Sequence, residues 1–75
     1  MTTGDIVRER AMELARSRTD HEQAVQELMM TCDGRRVAVV RARQELDASL
    51  GSDPDEPDAV RAIEFLDEVL LRLPA

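Results

Sequence analysis

An all-α fold, a compact bundle of three to four short helices completed by dimerisation, is what this sequence predicts. Apolar residues recur at spacings of three and four along most of the 75 residues, which is the pattern of helices with one buried face. Charged residues make up 35% and apolar ones 43%, enough to build a core and unlike the composition of a disordered chain. That core has to be thin, because nine of the apolar residues are Ala and Phe65 is the only aromatic. A chain of this length buries only about 60% of its unfolded surface. A second copy is a common remedy.

The first helix is expected near residues 3–17. Thr2 or Thr3 caps it, and Asp5 and Glu9 sit near the positive end of its dipole. Val7, Ala11, Leu14 and Ala15 share one face. The run Ser17-Arg18-Thr19-Asp20 interrupts the pattern, and Thr19 with Glu22 forms a capping-box sequence that opens a second helix near 20–33. Ala24, Val25, Leu28, Met29 and Cys32 line its stripe, and Gly34 suits the left-handed stop. Residues 35–40 are half valine, which fits a strand by propensity. No other segment offers that strand a pairing neighbour. The helical reading of 36–50 places Ala38, Val39, Ala42, Leu46 and Leu50 on one side, among good helix formers. An acidic loop is expected at 51–56, and Pro57 fits the first position of a last helix near 57–73. Ala59, Ala62, Ile63, Leu66, Val69, Leu70 and Leu73 stripe that helix, and Pro74 ends it. The whole of 1–75 reads as one α-helical domain.

The inventory for catalysis is thin. His21 and Cys32 are the only residues of their kinds, and Lys, Tyr and Trp are absent. Ser17, Thr19, Thr31 and Ser49 lack a nearby base to activate them. Glycines at 4, 34 and 51 stand alone and form no phosphate loop. His21 and Cys32 fall on one helical stripe roughly 16 Å apart, too far to share a metal ion within one chain. They read as a core-edge histidine and a buried thiol acting as a small hydrophobe. A single cysteine excludes an internal disulfide and a multi-cysteine zinc site. Asp53, Asp55, Glu56 and Asp58 lack the glycine and terminal glutamate of a calcium loop and read as solvated. The expectation is a protein that is not an enzyme, with no cofactor and no metal. No basic start with an apolar run and no apolar stretch near 18 residues is present, so a cytoplasmic chain without membrane contact is expected.

Net charge is −6, and it is unevenly placed. Residues 1–50 hold eight Arg against nine acids, whereas 51–75 hold Arg61 and Arg72 against seven. This argues against generic attraction to nucleic acid. Between the second and third helices, Gly34 stands where a helix-turn-helix has its turn glycine. The position after it, which should be apolar, is Arg35. A local cluster remains, Arg35, Arg36, Arg41 and Arg43. In the alternative reading it meets phosphates in a nucleic-acid-associated regulator, with a two-fold dimer doubling the patch.

Apolar residues off the main stripes say more. At 100° per residue, Val37 and Val40 lie opposite Ala42 and are edged by Arg36 and Arg43. In the last helix, Val60 and Leu71 lie opposite Leu66 beside Glu64 and Asp67, with Phe65 on the flank. Either these helices are buried on two sides within a monomer, or the strips are a contact surface. The second reading makes the chain a small interaction or regulatory module, a homodimer that also accepts another protein. The basic strip of one copy would then meet the acidic strip of the other, an arrangement that sets register more than affinity. Two further readings rest on less: an acidic C-terminal third that imitates a polyanion, and a composite site joining His21 and Cys32 of different subunits.

Overall fold

The stripes read from the sequence become four helices in a computed structural model, which describes residues 3–52 and 56–74. They are α1 (Thr3–Arg16), α2 (His21–Cys32), α3 (Arg36–Ser52) and α4 (Pro57–Arg72). Residues 36–40, the candidate strand, lie in α3. No strand occurs among the described residues.

Three helix ends differ from expectation, each for a local reason. Thr19 does not cap α2, because it is used to close α1. Arg18 adopts a left-handed backbone at φ 54°, and the Arg18 and Thr19 N–H groups donate to the carbonyls of Ala15 and Leu14 at 3.1 Å each. That is a Schellman closure with Arg where glycine is usual. The N-cap of α2 moves to Asp20, whose side chain makes no cap hydrogen bond. At the far end of α2, Asp33 (φ 52°) and Gly34 (φ 73°) are both left-handed, so the reversal takes two residues rather than one. Gly51 and Ser52, expected in the loop, continue α3. An interior glycine costs a helix only about 1 kcal/mol, and the stronger breaker in this stretch of sequence is Pro54. Asp53, Pro54 and Asp55 of the expected acidic loop lie outside the described residues, as does Thr2. Pro57 opens α4 as expected.

α1 and α4 each pack against all three other helices, while α2 and α3 stand at opposite corners and barely touch. The section is therefore a quadrilateral with α1 and α4 across its short diagonal. One apolar cluster fills it, and its largest fully buried side chains are Phe65, Leu28, Leu66, Val7, Val25, Val39, Val69 and Cys32. Ala11, Ala24, Ala42 and Ala62 have no exposed surface, which lets the helix backbones approach closely. Phe65, read from the sequence as a flank residue of a contact face, is 1% exposed. Its ring lies 5.6 Å from that of His21 at the start of α2, so the flank it occupies is the one that α2 covers. The radius of gyration, 11.0 Å, is that of a well-packed chain of this length, about 11 Å.

Each of the four outer seams carries an arginine–carboxylate pair. Arg10 meets Glu27 between α1 and α2 (3.7 Å), and Arg8 meets Glu45 between α1 and α3 (2.8 Å). Arg72 grips Glu22 with both terminal nitrogens between α4 and α2 (2.6 and 2.8 Å), and Arg43 binds Asp67 between α3 and α4. Such exposed pairs add little stability singly, but one on every seam disfavours any shift in helix register.

The Glu22–Arg72 pair makes a pH prediction. The hydrogen bond from Arg72 is the largest influence on Glu22 and holds its pKa below the ordinary value. A depressed carboxylate stabilises the fold above its unfolded pKa, and that contribution is lost as pH falls through the folded pKa. Side-chain NMR titration should find Glu22 titrating lower than a free glutamate. Arg72→Ala should return it to the ordinary range, and an unchanged midpoint would show that the pair does not persist in solution.

Candidate interaction surface

The surface begins with the geometry of α3. Its inner side is Ala38, Val39, Ala42 and Leu46, all buried. A helical repeat then puts Val37 near the outer pole and Val40 on the flank toward α4. Val37 is 80% exposed, whereas Val40 is half-buried. On α4, Ala59, Ala62, Phe65, Leu66 and Val69 face inward. Leu71 falls at the outer pole, 82% exposed, and Val60, exposed as well, lies three turns earlier near the other end of the helix. Of the apolar residues assigned to the strips, Val37, Leu71 and Val60 therefore stand in the open, Val40 is shared with the seam, and Phe65 belongs to the core.

The charges edging these strips are used differently from the sequence expectation. Arg43 and Asp67, expected to meet across chains, pair within one chain, and the hydrogen bond to Asp67 raises the Arg43 pKa. Arg36 donates from Nη1 to the Leu70 carbonyl at 3.0 Å, satisfying one of the orphan acceptors at the end of α4. The two strips lie on neighbouring helices, and Arg43 and Asp67 neutralise each other across the common seam. Glu64 is exposed. The Arg36–Leu70 bond also fixes where the apolar surface sits. Their chain neighbours Val37 and Leu71 lie at the same end of the α3–α4 seam.

The arginine cluster divides. Arg43 is held in the seam, and Arg36 reaches across to α4. Arg35 and Arg41 turn toward α1, where with Arg36, Thr3 and Gly4 they line an open depression of about 430 Å³. Arg35 donates from Nη1 to Thr3 Oγ1 at 3.4 Å. The stem of Arg41 lies along Gly4, where a Cβ would stand 3.4 Å from Arg41 Cδ. Among the described residues, no carboxylate lines this depression.

Cys32 is fully buried and donates its thiol to the Met29 carbonyl at 3.3 Å. His21 is exposed at the start of α2, with its ring against Phe65 at the edge of the core. Among the described residues, no three His, Cys, Asp or Glu side chains converge as a metal site would require, and no helix is long and apolar enough to cross a membrane. Two exposed apolar residues escaped the sequence reading. Ile6, 44% exposed, and Met30, 82% exposed, each stand one residue off a buried stripe and are detectable by the same 100° arithmetic. The role of Thr3 and Gly4 beside Arg35 and Arg41 has no local signal, since it depends on how α1 packs on α3. No protein-family model, curated protein or solved structure matches the chain.

Proposed function

We propose that the chain is a small helical interaction module that pairs with a second copy of itself through the outer faces of α3 and α4. The observation that carries this reading is the exposure of Val37 and Leu71 at one end of a seam whose core is already complete. Burying each would contribute about 1.5–3 kcal/mol. A patch in which apolar meets apolar is self-complementary under a two-fold rotation, as an isologous dimer requires. With Arg43 and Asp67 satisfied internally, the association is apolar in character and little affected by salt. The same argument disfavours the nucleic-acid reading. It needs four arginines acting together, and α3 divides them, with Arg36 and Arg43 bonded to α4 and Arg35 and Arg41 turned toward α1, in a chain of net charge −6.

The test is solution mass by light scattering over a concentration series at low and high salt. The wild type should weigh twice the chain mass at both. Val37→Glu and Leu71→Arg should each shift it toward the single-chain mass with unchanged helicity, since both side chains are exposed. A wild type that stays monomeric, or variants that assemble like it, would overturn the proposal.

A further inference from the structure

We infer that the paired copies adopt one arrangement, in which α3 of each lies antiparallel on α4 of the other about a two-fold axis running along the helices. Arg41 and Glu64 of the partner subunit are the pair that selects it. This inference rests on the self-pairing proposed above and specifies its geometry.

The outer lines of the two helices match. Along α3, Val37, Arg41, Gln44 and Ala48 follow at spacings of 4, 3 and 4, and along α4 Val60, Glu64, Asp67 and Leu71 do the same. Residues at that spacing share one helix-packing seam. All of them are exposed except Asp67, which is drawn aside to Arg43. Arg36 bonds to Leu70 and Arg43 to Asp67, so the two helices run antiparallel. These two bonds put Val37 level with Leu71, Gln44 with Glu64, and Ala48 with Val60.

A two-fold axis relating two copies of one face lies in the interface. Helices then pack lengthwise when the axis runs either across them or along them. Across them, α4 meets its own copy. Val60 reaches Leu71 of the partner subunit, but Glu64 falls against Asp67 of the partner subunit, and four carboxylates gather at the centre. Like charges placed together in this way exclude wrong arrangements. Along them, α3 covers α4 of the partner subunit with levels unchanged. Val37 meets Leu71 of the partner subunit, and Ala48 meets Val60 of the partner subunit, so apolar covers apolar at both ends.

The lengthwise axis also joins two charges. Arg41 leans away from the α3–α4 seam, with its stem along Gly4 of α1. Glu64 lies on the side of Leu71 away from Asp67, and so away from the same seam. Rotation about the lengthwise axis brings those two sides together at each edge of the interface. Arg41 stands three residues, about 4.5 Å, from the level of Glu64, within a guanidinium's reach. Both are exposed, and neither has an ion pair among the described residues. Such a rim pair orients the copies more than it holds them, in keeping with an attachment that is mainly apolar.

The experiment is disulfide trapping between single-cysteine variants, mixed in pairs at low concentration and then concentrated with oxidised glutathione. Cys32 is fully buried, and the wild type is the control for it. Val37→Cys mixed with Leu71→Cys should give a covalent dimer. Each variant alone should not, and neither should Val60→Cys mixed with Leu71→Cys. In light scattering, Arg41→Glu and Glu64→Arg should each raise the dimer dissociation constant about tenfold, and the double variant should recover most of the loss. Arg16→Glu makes the same change in net charge away from this face, and should alter the constant by no more than about twofold. A monomeric wild type would overturn the self-pairing and this arrangement together. A wild-type dimer that links Val60→Cys to Leu71→Cys, that fails to link Val37→Cys to Leu71→Cys, or that is not rescued by the double charge exchange would overturn the arrangement alone.

Discussion

Phe65→Ala should lower the unfolding free energy by about 3–5 kcal/mol. A 75-residue domain has only about 4–11 kcal/mol in total, at 0.05–0.15 kcal/mol per residue, so the variant should be largely unfolded at moderate temperature. The size of the effect follows from the composition. Phe65 is the only aromatic in the chain and the largest of the fully buried side chains. Its ring fills space between α4 and α2 that no other residue in this core is large enough to fill. The surrounding helices relax only in part into such a vacancy, which adds a cavity cost to the lost burial. Urea unfolding of Phe65→Ala and Phe65→Leu measures this directly. The leucine variant should recover a large part of the loss, because it refills most of the volume. A Phe65→Ala protein within about 1 kcal/mol of the wild type would mean that the ring is peripheral, as the sequence pattern first suggested.

Ala42→Leu should also destabilise, by about 1–3 kcal/mol, even though leucine is the more hydrophobic residue. Ala42 sits on the inner side of α3 with no exposed surface, and α3 packs against both α1 and α4. A larger side chain has to push one of those helices outward. That displacement strains the Arg8–Glu45 and Arg43–Asp67 seams together. Ala48, exposed on the same helix, is the control, and Ala48→Leu should change stability by no more than about 0.5 kcal/mol. If the two substitutions have equal effects, the alanine layer is not setting the distance between helices.

How far the sequence can be read depends on how far apart the interacting residues are. Val7, Ala11, Leu14 and Ala15 define a buried stripe because one turn of helix brings them together, and the structure buries all four. The same holds for Ala38, Val39, Ala42 and Leu46. Where two signals compete within a few residues, the reading loses precision. Thr19 is good for opening α2 and also good for closing α1, and the backbone hydrogen bonds decide for the second. Phe65 defeats helix-by-helix reasoning because its position toward α2 becomes an inside only after α2 has docked. The seam pairs are further out of reach, since Arg72 and Glu22 are 50 residues apart. The arginine cluster was visible as a run of charge. Its division into a seam residue, a helix-end ligand and a pocket depends on which helix each guanidinium meets.

The short diagonal of the bundle has a consequence for how the chain is made. α1 and α4 are its central pair, yet α1 is the first helix to be synthesised and α4 the last of the four. While the polypeptide grows, the face of α1 meant for α4 has nothing to rest against, and α2 and α3 offer each other almost no contact. Phe65, Leu66 and Val69 all arrive with α4, so the packing of α1 on α2 and α3 lacks these core residues until α4 is made. The cluster they share with Val7, Val25 and Val39 is therefore complete only after α4 has been translated. A ribosome that stalls before residue 57 presents a sticky, unfolded segment suited to chaperones and proteases rather than a shorter version of the protein.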